Sequence, residues 1–227
     1  MAGLVNKRIW IIANWKSNKN ISEALDWISK VGVKVSDRED IKVVVCPTFS
    51  CIPEVTKAIK VGNFNITVGS QDLSPFGVGA YTGEEPASLL QEMVKFSIIG
   101  HSERREHFSE SDEMVAKKAL QALDNQITPL LCVQDSATPV PQGVKIVAYE
   151  PIFAIGTGQS DTPQNADAVA KALKQFHGQE LEVLYGGSVN SSNVRSFLEM
   201  ENISGVLIGK SSLETEEFVK IIEECER

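Results

Sequence analysis

A closed (β/α)8 barrel is the fold this sequence predicts, and three observations carry it. Short apolar runs recur eight times along the 227 residues, bounded by Gly, Pro, Asn or Asp. They are continuous rather than alternating, as strands buried on both faces of a parallel sheet require. Stretches with helical spacing lie between them, which makes residues 1–227 a single α/β domain. An open doubly wound sheet is the second architecture, but no G-x-G-x-x-G follows the first strand.

The strand runs are "RIWIIAN" (8–14), "IKVVVCP" (41–47), "NITVGSQ" (65–71) and "KFSIIGH" (95–101) in the first half. "TPLLCVQ" (128–134), "KIVAYEP" (145–151), "LEVLYGG" (181–187) and "SGVLIGK" (204–210) complete the set. After a Ser22 start, "SEALDWISKVG" places Leu25, Ile28 and Val31 on one helical face. "SDEMVAKKALQAL", behind a Ser111 cap, groups Met114, Val115, Ala119, Leu120 and Leu123. "TPQNADAVAKALKQF" opens with Thr162 as cap and Pro163 at the first helical position. "SSNVRSFLEM" and "ETEEFVKIIEEC" read the same way.

One connection is short. Residues 134–144 carry "SATPVPQG", whose two close prolines exclude a helix. At about 3.3 Å per residue such a segment still runs back along a short strand. The barrel therefore closes with its fifth outer helix replaced by a loop. By parity with Glu150, Val147 and Tyr149 point outward there. A subunit contact or an exposed apolar patch is expected on that side.

Composition narrows the partners. The net charge of −8 gives no basic footprint for nucleic acid, so an anionic substrate has to be held by local groups. The four cysteines, Cys46, Cys51, Cys132 and Cys225, make no C-x-x-C pair and no zinc spacing, which fits reduced thiols in the cytoplasm. The first apolar run, "IWIIA", is too short for a signal segment or a membrane span.

In a barrel, reactive residues collect at the C-terminal strand ends. Read off there, strand one supplies Asn14 and Lys16, strand four His101 and strand six Glu150. Strand seven supplies Gly186, Gly187 and Ser188, and strand eight Gly209 and Lys210. The two glycine turns aim backbone N–H groups at an anion. One such turn is ordinary; two after the last two strands indicate a phosphate site. His101 stands before "SERRE", a stretch able to open a helical turn whose N-terminus disfavours a charged ring. Glu103, Arg104 and Arg105 form a charge cluster that reads equally as structural or catalytic, with Glu103 able to pair with Lys16. In "AYEPIFAIGTGQS" (148–160) a carboxylate, costly to bury unpaired, precedes an apolar, glycine-rich loop. That stretch reads as a base with a lid.

These motifs, "ANWKSN", "GAYTGE", "GHSERRE", "AYEPIFAIGTG" and "YGGSV", resemble in order and spacing those of the triosephosphate isomerase family, from about residue 8 to 222. The resemblance implies a TIM barrel that interconverts dihydroxyacetone phosphate and D-glyceraldehyde 3-phosphate through an enediol, in glycolysis and gluconeogenesis. It implies Glu150 as base, neutral His101 as electrophile and Lys16 as electrostatic stabiliser, with Asn14 beside it and Glu103 in the catalytic set. A Glu base working with a neutral His is the family's well-known pairing, and these two roles come from the resemblance rather than from spacing. Gly156, Ser188, Gly209 and Lys210 would hold the phosphate through backbone N–H groups. Pro151, Ile152, Phe153, Ala154, Ile155, Gly156, Thr157 and Gly158 would form the lid, within residues 151–161. Thr82 would reach a neighbouring subunit, implying a homodimer or larger assembly. No metal or organic cofactor is implied, and neither nucleic acid nor a membrane.

Several positions depart from the family pattern. Phe153 stands where the family has Trp, and Gln134-Asp135 where it has Gly-Glu, so an indole-to-carboxylate tie is absent. Lys210 replaces the second glycine of the phosphate turn; its amide still donates if φ is negative, and its ammonium either adds to the phosphate site or faces solvent. "QSD" (159–161) differs from the usual end of the lid. Two rival readings fit less well: another sugar-phosphate barrel enzyme would lack the Lys16, His101 and Glu150 set, and a non-catalytic phosphometabolite binder or surface-displayed partner protein needs no base.

Overall fold

The computed structural model describes residues 8–151 and 160–226. Eight parallel strands close on themselves in sequence order, so the architecture is a (β/α)8 barrel. The strands are β1 (Ile9–Asn14), β2 (Ile41–Cys46), β3 (Ile66–Ser70) and β4 (Phe96–Ile99), then β5 (Thr128–Val133), β6 (Ile146–Tyr149), β7 (Glu182–Tyr185) and β8 (Ile203–Ile208). Each overlaps one of the apolar runs. The helices among the described residues are α1 (Ile21–Gly32), α2 (Ile52–Gly62), α3 (Ala87–Leu90), α4 (Ser102–Phe108), α5 (Asp112–Asp124), α6 (Pro163–His177), α7 (Val194–Leu198) and α8 (Thr215–Glu226). None of them is long and apolar enough to cross a membrane.

Alternation along the strands divides the core in two. Trp10, Ile12, Val44, Ile98, Leu130, Cys132, Ala148 and Leu184 fill the barrel. Ile11, Ala13, Val43, Val45, Leu131, Val133, Val147 and Val183 face the helices. The barrel closes tightly between β1 and β8, where a Cβ on Gly205 would lie 2.2 Å from the Trp10 carbonyl oxygen, so only glycine fits.

Two helix starts match the sequence and one does not. Ser111 caps α5 and Thr162 caps α6. The cap of α1 is Asn20 and not Ser22: the Asn20 side chain accepts from the Glu23 N–H while Glu23 reaches back to the Asn20 N–H. Trp27 joins Ile28 and Val31 on the buried face of α1, with Leu25 only half-buried.

Helix α5 corrects the expected stripe. Its buried residues are Val115, Lys118, Ala119 and Ala122, whereas Met114, Leu120 and Leu123 are exposed. Lys118 can be inside because its ammonium is neutralised: it bonds both Asp72 oxygens, at 2.6 and 2.7 Å, and also Glu110. The alanines let the helix approach the sheet closely.

Between β5 and β6 the chain makes bends and turns. Val147 and Tyr149 point outward as parity requires, yet they are 0% and 4% exposed. Val147 and Tyr149 themselves therefore form no exposed apolar patch. Val140 and Val144 pack onto the same layer, and Gly143 sits against Leu123 of α5, so the connection covers the strand as a strap.

Candidate active site

Strand ends and the residues just beyond them build the site. Asn14 is the last residue of β1, and its side chain accepts the Lys16 N–H at 3.1 Å. Lys16 has φ +52, a conformation few non-glycine residues adopt. The Gln71 amide holds it there, donating to the Lys16 carbonyl at 2.8 Å and to the Cys46 carbonyl at 2.9 Å. The Lys16 ammonium then meets Glu103 at 2.5 Å. Its stem lies along the glycine turn after β8, since a Cβ on Gly209 would fall 3.3 Å from Lys16 Cε.

His101 caps α4. Its Nδ1 accepts the Glu103 N–H at 3.2 Å, so the ring proton belongs on Nε2. Nε2 faces Glu150 Oε1 at 3.1 Å. The second Glu150 oxygen accepts the Ser102 N–H at 3.0 Å. A carboxylate only 2% exposed thus has one oxygen bonded by a backbone N–H and the other against the imidazole, both from one helix start. Burial, and next the charge of Glu150, push the Cys132 thiol well up, so Cys132 stays protonated beside the carboxylate. Gly186 leaves room for it: a Cβ there would stand 3.0 Å from Glu150 Cγ.

The arrangement brings Asn14, Lys16, Glu103, His101, Glu150 and Gly209 to one rim. Ser188 follows β7, with its carbonyl taking the Asn193 amide at 3.1 Å. Lys210 opens a short 3₁₀ turn, is exposed and is not among the positive-φ residues, which meets the condition for its amide to donate. Pro151 is buried at the end of β6. Ile152, Phe153, Ala154, Ile155, Gly156, Thr157 and Gly158 lie outside the described residues. Thr82 is exposed on the segment after β3, next to a stacked Phe76–Tyr81 pair with ring centroids 4.3 Å apart.

Within the charge cluster after His101 the roles separate. Glu103 faces Lys16, while Arg104 bonds Asp72 at 2.9 Å and Glu110 at 3.2 Å. Arg105 bonds the Gly100 carbonyl at 2.9 Å and Asp112 at 2.6 Å, so both arginines are structural. Sequence patterning passes over Gln71 and treats Cys132 as a small hydrophobe. Gln71 ends the "NITVGSQ" run, and that position beside the barrel mouth is the signal that points to it.

Comparison with known proteins decides the family. Residues 9–225 match the family model described as triosephosphate isomerase. The chain belongs to the triosephosphate isomerase family. Membership makes it an aldose–ketose isomerase. The triosephosphate isomerase of Mesomycoplasma hyopneumoniae strain 7448 is 37% identical, covering 93% of this chain and 97% of its own length. That of Endomicrobium trichonymphae is 35% identical, over 92% of this chain and 95% of its own. That of Caldanaerobacter subterraneus subsp. tengcongensis is 36% identical, over 95% and 99%.

Proposed function

We propose that this chain interconverts dihydroxyacetone phosphate and D-glyceraldehyde 3-phosphate through an enediolate, with Glu150 as the base. The observation that supports this most is the pairing of Glu150 with a His101 whose proton is directed to Nε2. A substrate carbonyl entering the site replaces Glu150 at Nε2. The imidazole then polarises that oxygen, and the released carboxylate is free to take the proton from the adjacent carbon. Lys16, steadied by Glu103, balances the enediolate and phosphate charge from the Gly209 side, with Asn14 fixing its backbone. The N–H groups of Gly156, Ser188, Gly209 and Lys210 hold the phosphate. Residues 151–161 act as the lid that excludes water and prevents phosphate elimination.

The working form is read as a homodimer. Phe76, Val78 and Tyr81 are exposed around Thr82, an apolar stretch on the same connection after β3 that carries Gln71. The four free thiols fit a cytoplasmic enzyme of glycolysis and gluconeogenesis.

The test is a coupled isomerase assay on D-glyceraldehyde 3-phosphate with Glu150→Gln alongside. Loss of about 10² to 10⁴ in kcat, with binding of a phosphate-bearing inhibitor retained, supports the assignment. A variant keeping a tenth of the activity contradicts it.

A further inference from the structure

Asp161 is a charged residue buried at the far end of the segment that starts beside Glu150, and nothing in the mechanism above uses its side chain. Four hydrogen bonds converge on it. The Tyr149 hydroxyl donates to Oδ2 at 3.2 Å and the Asn165 amide to the same oxygen at 2.7 Å. The Thr162 N–H donates to Oδ1 at 2.7 Å. The Asp161 N–H itself donates to the Tyr185 hydroxyl oxygen at 2.8 Å.

The two tyrosines occupy equivalent places. Tyr149 is the last residue of β6 and precedes Glu150; Tyr185 is the last residue of β7 and precedes the Gly186–Gly187 turn. The strands are registered through Tyr149 and Tyr185, and the Tyr149 carbonyl accepts the Gly186 N–H at 2.8 Å. The turn rests on the Tyr185 hydroxyl, since a Cβ on Gly187 would fall 2.2 Å from it. The Tyr185 ring is itself fixed by stacking on Phe197, with centroids 3.9 Å apart. Asp161 therefore touches, from outside the barrel, the supports of both the carboxylate and the phosphate turn.

We propose that Asp161 is a positioning residue, whose carboxylate, bonded to the Tyr149 hydroxyl, holds the end of the base-bearing strand in register with the phosphate turn. The proposal rests on the phosphate reading of that turn given above. A buried carboxylate that served packing alone would change stability when removed and leave ligand affinity unmoved. A positioning carboxylate changes affinity and turnover as well, because small displacements at a site carry large rate costs.

The experiment measures the Kd of glycerol 3-phosphate, a non-isomerisable analogue, by calorimetry, with KM, kcat and Tm, on the full chain carrying Asp161→Ala or Asp161→Asn. Removing the carboxylate is expected to weaken Kd about tenfold, with kcat reduced as well. The asparagine variant, which keeps an acceptor for Tyr149 and Asn165 but turns an NH2 donor toward the Thr162 N–H, is expected to recover part of that loss. Unchanged Kd and kcat in Asp161→Ala, with only Tm lowered, overturns the proposal. Equal impairment of the two variants also overturns it, since acceptor geometry would then not matter. Should Asp161→Ala fail to fold, Tyr149→Phe deletes one of the same bonds without opening a cavity. Kd and kcat unchanged in Tyr149→Phe count against the proposal, and a weakened Kd supports it. Absence of isomerase activity in the wild type defeats the proposed reaction alone, because the ratio of Kd values still reports on Asp161.

Discussion

Glu150 and His101 face each other at 3.1 Å, the carboxylate oxygen lying against the Nε2 to which the Glu103 N–H directs the ring proton. Both are buried. Replacing His101 by Gln is expected to lower kcat by about 10² to 10³, the range for losing one donor at a developing oxyanion. The same change removes the α4 cap, for about 1 kcal/mol of stability. Steady-state kinetics and a thermal melt on one preparation separate the two effects.

Gly209 lies under the Lys16 stem. A methyl group there would sit 3.3 Å from Lys16 Cε, close enough to push the ammonium aside. Gly209→Ala should therefore raise KM about tenfold, equivalent to roughly 1.4 kcal/mol, with Tm little changed. A KM within twofold of the wild type would show that Lys16 adjusts freely.

Lys118 holds two buried carboxylates, Asp72 and Glu110. Lys118→Met leaves both without their central cation and is expected to cost about 3–5 kcal/mol. For a chain of this size that is a fall in Tm of roughly 6–20 °C. Denaturant titration gives the same number independently.

Alkaline pH should destabilise the fold. Burial raises the Cys225 thiol from 9.0 to about 12 and the Tyr185 phenol from 10.0 to about 12. The folded chain thus keeps these protons at pH values where the unfolded chain has released them. With fewer protons bound when unfolded, stability falls as pH rises above about 9, and below that these groups contribute no slope. Unfolding free energies from pH 8 to 11 check the sign, and Cys225→Ala should flatten the curve.

The segment around Thr82 gives a prediction about assembly. Tyr81 stacks on Phe76 with both rings exposed. On the homodimer proposed above, the wild type should sediment at about twice 24.8 kDa and Tyr81→Glu as a monomer with much reduced activity. Sedimentation velocity reads the mass directly.

Much of the site is legible in the sequence because a parallel barrel sends every strand end to one rim. Asn14, Lys16, His101, Glu150 and Gly209 need only the eight apolar runs and the rule that chemistry collects at their ends. What escapes is set by partners distant along the chain. Lys118 reads as a solvent-facing lysine until Asp72 and Glu110 are seen around it, and Leu120 reads as core until the helix is rotated to suit that ion cluster. Val147 and Tyr149 read as uncovered because a segment with two prolines shows no apolar face of its own, although Val140 and Val144 supply one. Asn20 loses to Ser22 in a local reading because both are good caps; the reciprocal bond with Glu23 decides between them.

The strap between β5 and β6 also bears on how the barrel folds. Leu130 pairs with Ile146 across it, whereas Ile146 pairs with Glu182 and Phe96 with Thr128 across whole helices. Of all the neighbouring pairs, this one closes the smallest loop and so loses the least chain entropy on meeting. Its closure costs about 0.2 kcal/mol less than that of the next shortest loop, from Val183 to Ile203. The connection without a helix thereby makes β5 and β6 the most local strand pair of the barrel.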